Sequence, residues 1–206
     1  MKLTELKAIQ LAELFSALSD ASRVFSTPYL PVSLAGISVS FDVAARKISL
    51  PGRLHFVSEN QVNLQVPWEL EGLNSVQIKV SIGDISSAVY NLPLADYSPA
   101  FFEYRDPDGR NYIAALDENF RLLGSANLAR RGRTVLLYVN GLGPVDNRPP
   151  TGEPSPSQPL AVTRVTPQVT IGGRSAQVAF SGLAPFIVGL YQLNVVVPAD
   201  APSGLQ

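Results

Sequence analysis

His55 is the single histidine in 206 residues, so a Ser/His/Asp triad or a histidine-built metal site would have to use it. Leu54, Phe56 and Val57 surround it with a strand pattern, and no ligand-spaced partner stands nearby. The expected role is packing. Glu69/Glu71, Asp106/Asp108 and Asp117/Glu118 are carboxylate pairs of the kind that glycoside hydrolysis sets ~5 to 9.5 Å apart across a cleft. All three pairs fall in turn sequences, where Asp and Asn bond their own backbone. Asp106-Pro107-Asp108-Gly109 has the look of a calcium loop but lacks the later oxygen ligands and the glutamate at position twelve. Gly141-Leu142-Gly143 runs into a proline-rich stretch instead of a helix, which excludes a phosphate-cradling fingerprint. Arg130-Arg131-Gly132-Arg133 reads as a solvated turn before a strand.

No catalytic, cofactor-binding or metal-binding residue is assigned from these patterns. Trp68 remains as a ligand-binding candidate, since an aromatic face on a β-module can stack on a sugar ring, with Tyr29, Tyr90 and Tyr104 as helpers. Packing between two halves of the chain, or against an N-terminal helix, competes with that role.

Those side chains have to be carried by strands. Gln61-Val62-Asn63-Leu64-Gln65-Val66-Pro67 alternates with period two and ends at a proline, which has no amide hydrogen for a ladder. The pattern returns 131 positions later as Gln192-Leu193-Asn194-Val195-Val196-Val197-Pro198, so one unit is expected twice. Residues 37–41, 47–50 and 54–57 lead into the first copy. A hairpin over 76–92 turning at Gly83-Asp84 follows it. In the second copy, residues 134–139 form the most apolar strand, and 169–171, Gly172-Gly173 and 176–180 repeat the order of the first. The six prolines between 140 and 159 predict a long, extended surface loop.

Residues 1–31 read as a short helix and an extended lead-in, 32–95 as the first unit, 96–132 as a hairpin-bearing connector and 133–206 as the second. The second unit lacks a counterpart of the 76–92 hairpin and is expected to be truncated. Its open strand edge then invites self-association, or cover from the N-terminal helix.

Composition narrows the classes. A net charge of −1 gives no attraction to a polyanion, which argues against nucleic acid as a partner. The absence of cysteine removes disulfides, zinc-thiolate sites and thiol nucleophiles. Glu5, Lys7, Gln10 and Glu13 interrupt the first 18 residues, so no secretory signal peptide is read there, and no apolar run approaches the ~20 residues of a membrane span.

Leu30-Pro31-Val32-Ser33-Leu34-Ala35-Gly36-Ile37-Ser38-Val39, residues 61–67, Ser98-Pro99-Ala100-Phe101-Phe102, Ala129-Arg130-Arg131-Gly132, Gly141-Leu142-Gly143-Pro144 and residues 192–198 form a set. Over roughly residues 25–205 the chain resembles the Solibacter uncharacterised C-terminal domain family. The resemblance implies the C-terminal end of a large exported protein of soil Acidobacteria, hence an extracellular or cell-surface location, and no assigned activity. This chain departs from the family at both ends. A charged, helix-prone start replaces the first strand and its Gly-rich turn, with Phe15-Ser16-Ala17-Leu18-Ser19 as an echo of residues 139–143. The family also continues past Pro202-Ser203-Gly204, where this chain stops at Gln206.

The expected fold is all-β, with tandem immunoglobulin-like antiparallel β-sandwiches and a short N-terminal helix. The expected function is a non-catalytic structural or adhesion module that meets other domains of its parent protein or another protein. The alternatives are a carbohydrate-binding module using Trp68 on a glycan and, least favoured, a hydrolase.

Overall fold

The computed structural model describes residues 29–58 and 61–204. The helix expected over the first 20 residues lies outside them. The described chain is mostly β, built from antiparallel sheets, with 3-10 turns at Ala44–Arg46 and Trp68–Leu70 as its helical elements. No helix among the described residues is long and apolar enough to cross a membrane.

The N-terminal half holds β1 (Ser33–Leu34), β2 (Ile37–Val43), β3 (Ile48–Pro51), β4 (Arg53–Ser58), β5 (Gln61–Gln65), β6 (Ser75–Ile82), β7 (Ile85–Ser86) and β8 (Tyr90–Pro93). β2 and β6 are the inner pair of one sheet; β1 and β3 border β2, and β7 and β8 border β6. β4 and β5 form a separate hairpin. Val39 and Phe41 of β2, Leu54 of β4, Val76 of β6 and Leu70 meet in one buried cluster, so the hairpin and the sheet close on a common core. The alternation of valine and isoleucine along β6 supplies its inward face. Ile82 pairs with Ile85 across Gly83-Asp84, the two-residue turn expected from sequence, and the returning strand is split between β7 and β8.

The C-terminal half holds β9 (Ala100–Phe101), β10 (Glu103–Arg105), β11 (Asn111–Ile113), β12 (Ala115–Asp117), β13 (Thr134–Asn140), β14 (Val169–Ile171), β15 (Arg174–Leu183) and β16 (Tyr191–Val196). The sheet order is β12-β13-β16-β15-β14, with β9 sharing the edge of β13 that β12 occupies. Residues 96–132, expected as a connector, therefore complete the second sheet. They deliver β9, turn through the β10–β11 hairpin and return as β12.

β13 is buried along Val135 to Val139 on both faces. Val135, Leu137 and Val139 join Tyr191, Leu193 and Val195 in the larger core, while Leu136 and Tyr138 meet Ala114, Leu116, Ala184 and Leu190 on the other side. A strand covered twice needs a continuous apolar run, which is what residues 135–139 are.

The two hairpins that carry the repeated pattern pair alike. In β4–β5 the ladder runs Arg53↔Gln65, Leu54↔Leu64, then Phe56↔Asn63, skipping His55. In β15–β16 it runs Gln177↔Val196, Val178↔Val195, then Phe180↔Asn194, skipping Ala179. The bulge falls at the same rung. Beyond each hairpin, Leu70 N–H bonds the Pro67 carbonyl and Ala201 N–H bonds the Pro198 carbonyl, both at 3.2 Å.

Candidate functional site

The densest polar arrangement joins the two halves. Pro67 ends β5 and opens the 3-10 turn of Trp68, Glu69 and Leu70, which Glu71 caps. Against this turn lies the proline-rich stretch of the C-terminal half. It was expected as an extended surface loop, yet Val145, Pro149, Gly152 and Ser155 within it are buried.

The Trp68 N–H donates to the Thr151 hydroxyl at 3.0 Å, and that hydroxyl donates to Glu69 at 2.7 Å. The two carboxylate oxygens of Glu71 accept from Arg148 at 2.7 Å and Arg164 at 3.0 Å. Arg164 also reaches Asp146 at 3.2 Å. At the other end of the contact, Gly152 N–H donates to the Gln65 side chain at 2.7 Å and the Gly152 carbonyl accepts from Leu30 N–H at 2.9 Å. Gly152 has φ +88°, and a Cβ there would press on the Arg53 side chain at 2.8 Å, so the close approach requires glycine.

Trp68 is half-buried and packs on the larger core of the C-terminal half, with its indole nitrogen buried and unpartnered. The Glu69/Glu71 pair is spent on Thr151, Arg148 and Arg164, so these carboxylates fasten the halves together. Thr151, Arg148 and Arg164 were not singled out in the sequence. They lie 77 to 93 residues from their partners, and no local pattern reports such a pairing.

The other nominated residues lie apart from this contact. His55 occupies the β4 bulge, its Nδ1 buried and unpartnered, and burial lowers its pKa below the ordinary value. Burial therefore favours the neutral imidazole. Asp106 accepts from the Ser125 hydroxyl at 2.7 Å and from Tyr104 at 3.2 Å, and the Ser125 bond leads the causes that lower its pKa. Burial, then Asp106, raises Tyr104 to about 12. Asp108 accepts from Arg110 N–H at 2.9 Å and Tyr112 at 2.8 Å, closing the β10–β11 turn.

Asp117 accepts from the backbone of Asn119 and Arg121 and from the side chains of Arg121 and Asn127. These bonds, the Arg121 backbone first, hold its pKa down to about 2. Glu118 pairs with Arg133 at 3.3 Å. Arg131 donates to the Ala201 carbonyl at 2.7 Å and to Ser203 at 2.9 Å, so two arginines of the basic cluster tie down neighbouring segments.

A surface depression of about 430 Å³ lies on the outward face of β2, β3 and β6 between Ser38, Ser40, Asp42, Ser49, Lys79 and Ser81. It is open, its lining mixes serine, aspartate and lysine with Val32, Val39 and Pro51, and Trp68, Tyr90 and Tyr104 do not line it. Among the described residues, no three His, Asp or Glu side chains are grouped to hold a metal ion. No family model, no curated protein and no solved structure matches the chain.

Proposed function

We propose that the chain is a non-catalytic structural or adhesion module, its halves tandem immunoglobulin-like β-sandwiches, within a larger exported protein. The observation that carries this reading is the fate of Trp68, Glu69 and Glu71. The residues with the most chemistry to offer are engaged by Thr151, Arg148, Arg164 and the C-terminal core. A module that spaces or presents other domains gains from two halves that move as one, and such a contact supplies that. The shared rungs of β4–β5 and β15–β16, bulge included, support the tandem reading. The cell-surface location is carried over from the family resemblance alone.

The test combines turnover, binding and location. Wild type and His55→Ala are assayed on ester and glycoside panels, wild type and Trp68→Ala on a glycan array, and intact host cells are labelled with antibody. The reading expects no His55-dependent turnover, a lowered melting temperature for Trp68→Ala without a binding phenotype, and label on intact cells. Saturable glycan binding lost in Trp68→Ala would move the assignment to a carbohydrate-binding module, and signal confined to the cytosol would remove export.

A further inference from the structure

The matched hairpins allow the two halves to be compared rung by rung, and one strand in the first half has no counterpart among the described residues of the second. Because Arg53 and Gln177 hold the same rung, Gly52 corresponds to Ala176. Gly52 N–H bonds the Val39 carbonyl at 2.8 Å, and Ala176 faces Val169. Val39, Ser40 and Phe41 of β2 thus correspond to Val169, Thr170 and Ile171 of β14.

On the first set lies β6, with Val80 opposite Val39, Lys79 opposite Ser40 and Ile78 opposite Phe41. Under that cover Val39 is 4% exposed and Phe41 1%. β14 borders β15 alone among the described residues, and Val169 and Ile171 are only half-buried at the margin of the larger core. Backbone groups alternate in direction along an antiparallel strand. Since Val39 bonds toward Gly52, Ser40 turns to β6, and Thr170 by the same alternation turns its N–H and C=O to the uncovered side. Residues 165–173 carry no charge, so the lysine or glutamate that usually blunts an edge is missing.

We infer that the outer edge of β14 is a strand-accepting site for an extended segment of another polypeptide, with β-branched residues at alternate positions and a polar residue between them. The β2–β6 pairing is the template: Ile-Lys-Val fits where Val169, Thr170 and Ile171 stand. β14 of a second copy would offer only Val-Thr-Ile before Pro167 and the Gly172-Gly173 turn end it, without the lysine that faces Ser40 in the template. Strand addition of this kind takes its affinity from backbone bonds and its specificity from alternate side chains. The site stands whether or not the chain is exported.

The probe is a synthetic peptide with the sequence of residues 75–82, titrated into the isotope-labelled full chain and followed by NMR. In the dilute, peptide-free chain the Thr170 amide should exchange rapidly. Peptide up to about 1 mM should shift residues 168–172 saturably and slow Thr170 exchange about tenfold. Thr170→Pro should abolish the response, as should Ile78→Lys together with Val80→Lys in the peptide. Absence of shifts at 168–172 would overturn the inference. So would a protected Thr170 amide in the dilute chain, which would mean that the chain covers its own edge. A concentration-dependent dimer that Thr170→Pro dissolves would assign the edge to a second copy instead. The exchange measurement needs no variant and decides the matter even if Thr170→Pro fails to fold.

Discussion

Glu71→Gln removes one charge and almost no volume from the contact between the halves, and its cost can be worked out from the geometry. The carboxylate faces Arg148 at 2.7 Å and Arg164 at 3.0 Å, with side-chain exposures of 31%, 38% and 51% for Glu71, Arg148 and Arg164. At such exposure solvent screens each pair to ~0.2–1 kcal/mol. Losing both, and leaving two guanidinium groups without the anion between them, totals about 1–2 kcal/mol. For a chain of this size that lowers the melting temperature by ~2–8 °C. Thermal unfolding of wild type and Glu71→Gln at low salt reads the gap. Repeating it in about 1 M NaCl, where charges are screened beyond ~3 Å, should at least halve it. A double-mutant cycle with Arg148→Ala should return a coupling of ~0.5 kcal/mol or more. Melting curves that coincide at low salt, or a gap indifferent to salt, would refute the view that this cluster joins the halves.

Leu54 is fully buried in the N-terminal core, so Leu54→Ala should cost ~2–5 kcal/mol in denaturant unfolding, and a loss below ~1 kcal/mol would contradict the packing described. Gly141 has φ +67°, and a Cβ there would collide with the Ser98 carbonyl oxygen, so Gly141→Ala should destabilise by more than ~2 kcal/mol or prevent soluble expression. Asp117 titrates at about 2 when folded and near ~4 when unfolded. Its contribution is complete above ~4 and lost as the pH falls toward 2; Asp117→Asn should flatten that acid limb of the stability profile. Tyr104 and Tyr191 are raised to about 12, each mainly by burial, against ~10 for the unfolded chain. Their contribution is complete below ~10 and lost between ~10 and 12, so tyrosinate absorbance and unfolding should rise together there.

Local chemistry explains why much of the β framework could be read in advance. Period-two alternation marked β2, β5, β6 and β16, and the Gly83-Asp84 and Gly172-Gly173 turns fixed two hairpin registers. The uninterrupted run from Val135 to Val139 stood out as the most apolar strand, although it could not name what covers its second face. Ala114, Leu116 and Leu190 do so, and two of these come from a segment read as a connector. Pairings of that kind depend on residues far apart in the chain, where alternation is silent. The same limit hid the contact between the halves. Glu71 looked like one member of a turn pair, and only the fold brings Arg148 and Arg164 to it. The proline-rich stretch predicts exposure because low regular structure resembles exposure in a sequence, whereas Gly152 is buried against Arg53 and Gln65.

The contact at Glu71 also has a history in time. Glu71 leaves the ribosome 77 residues before Arg148 and 93 before Arg164. At ~5–20 residues per second, the first half waits roughly 4 to 19 s for the segment that fastens it. During that interval Trp68 has no C-terminal core to lie against, and the two acids of its turn are met only by water. The nascent N-terminal half must therefore hold its own core of Val39, Phe41, Leu54, Leu70 and Val76 unaided, or be sheltered by a chaperone until the second half arrives.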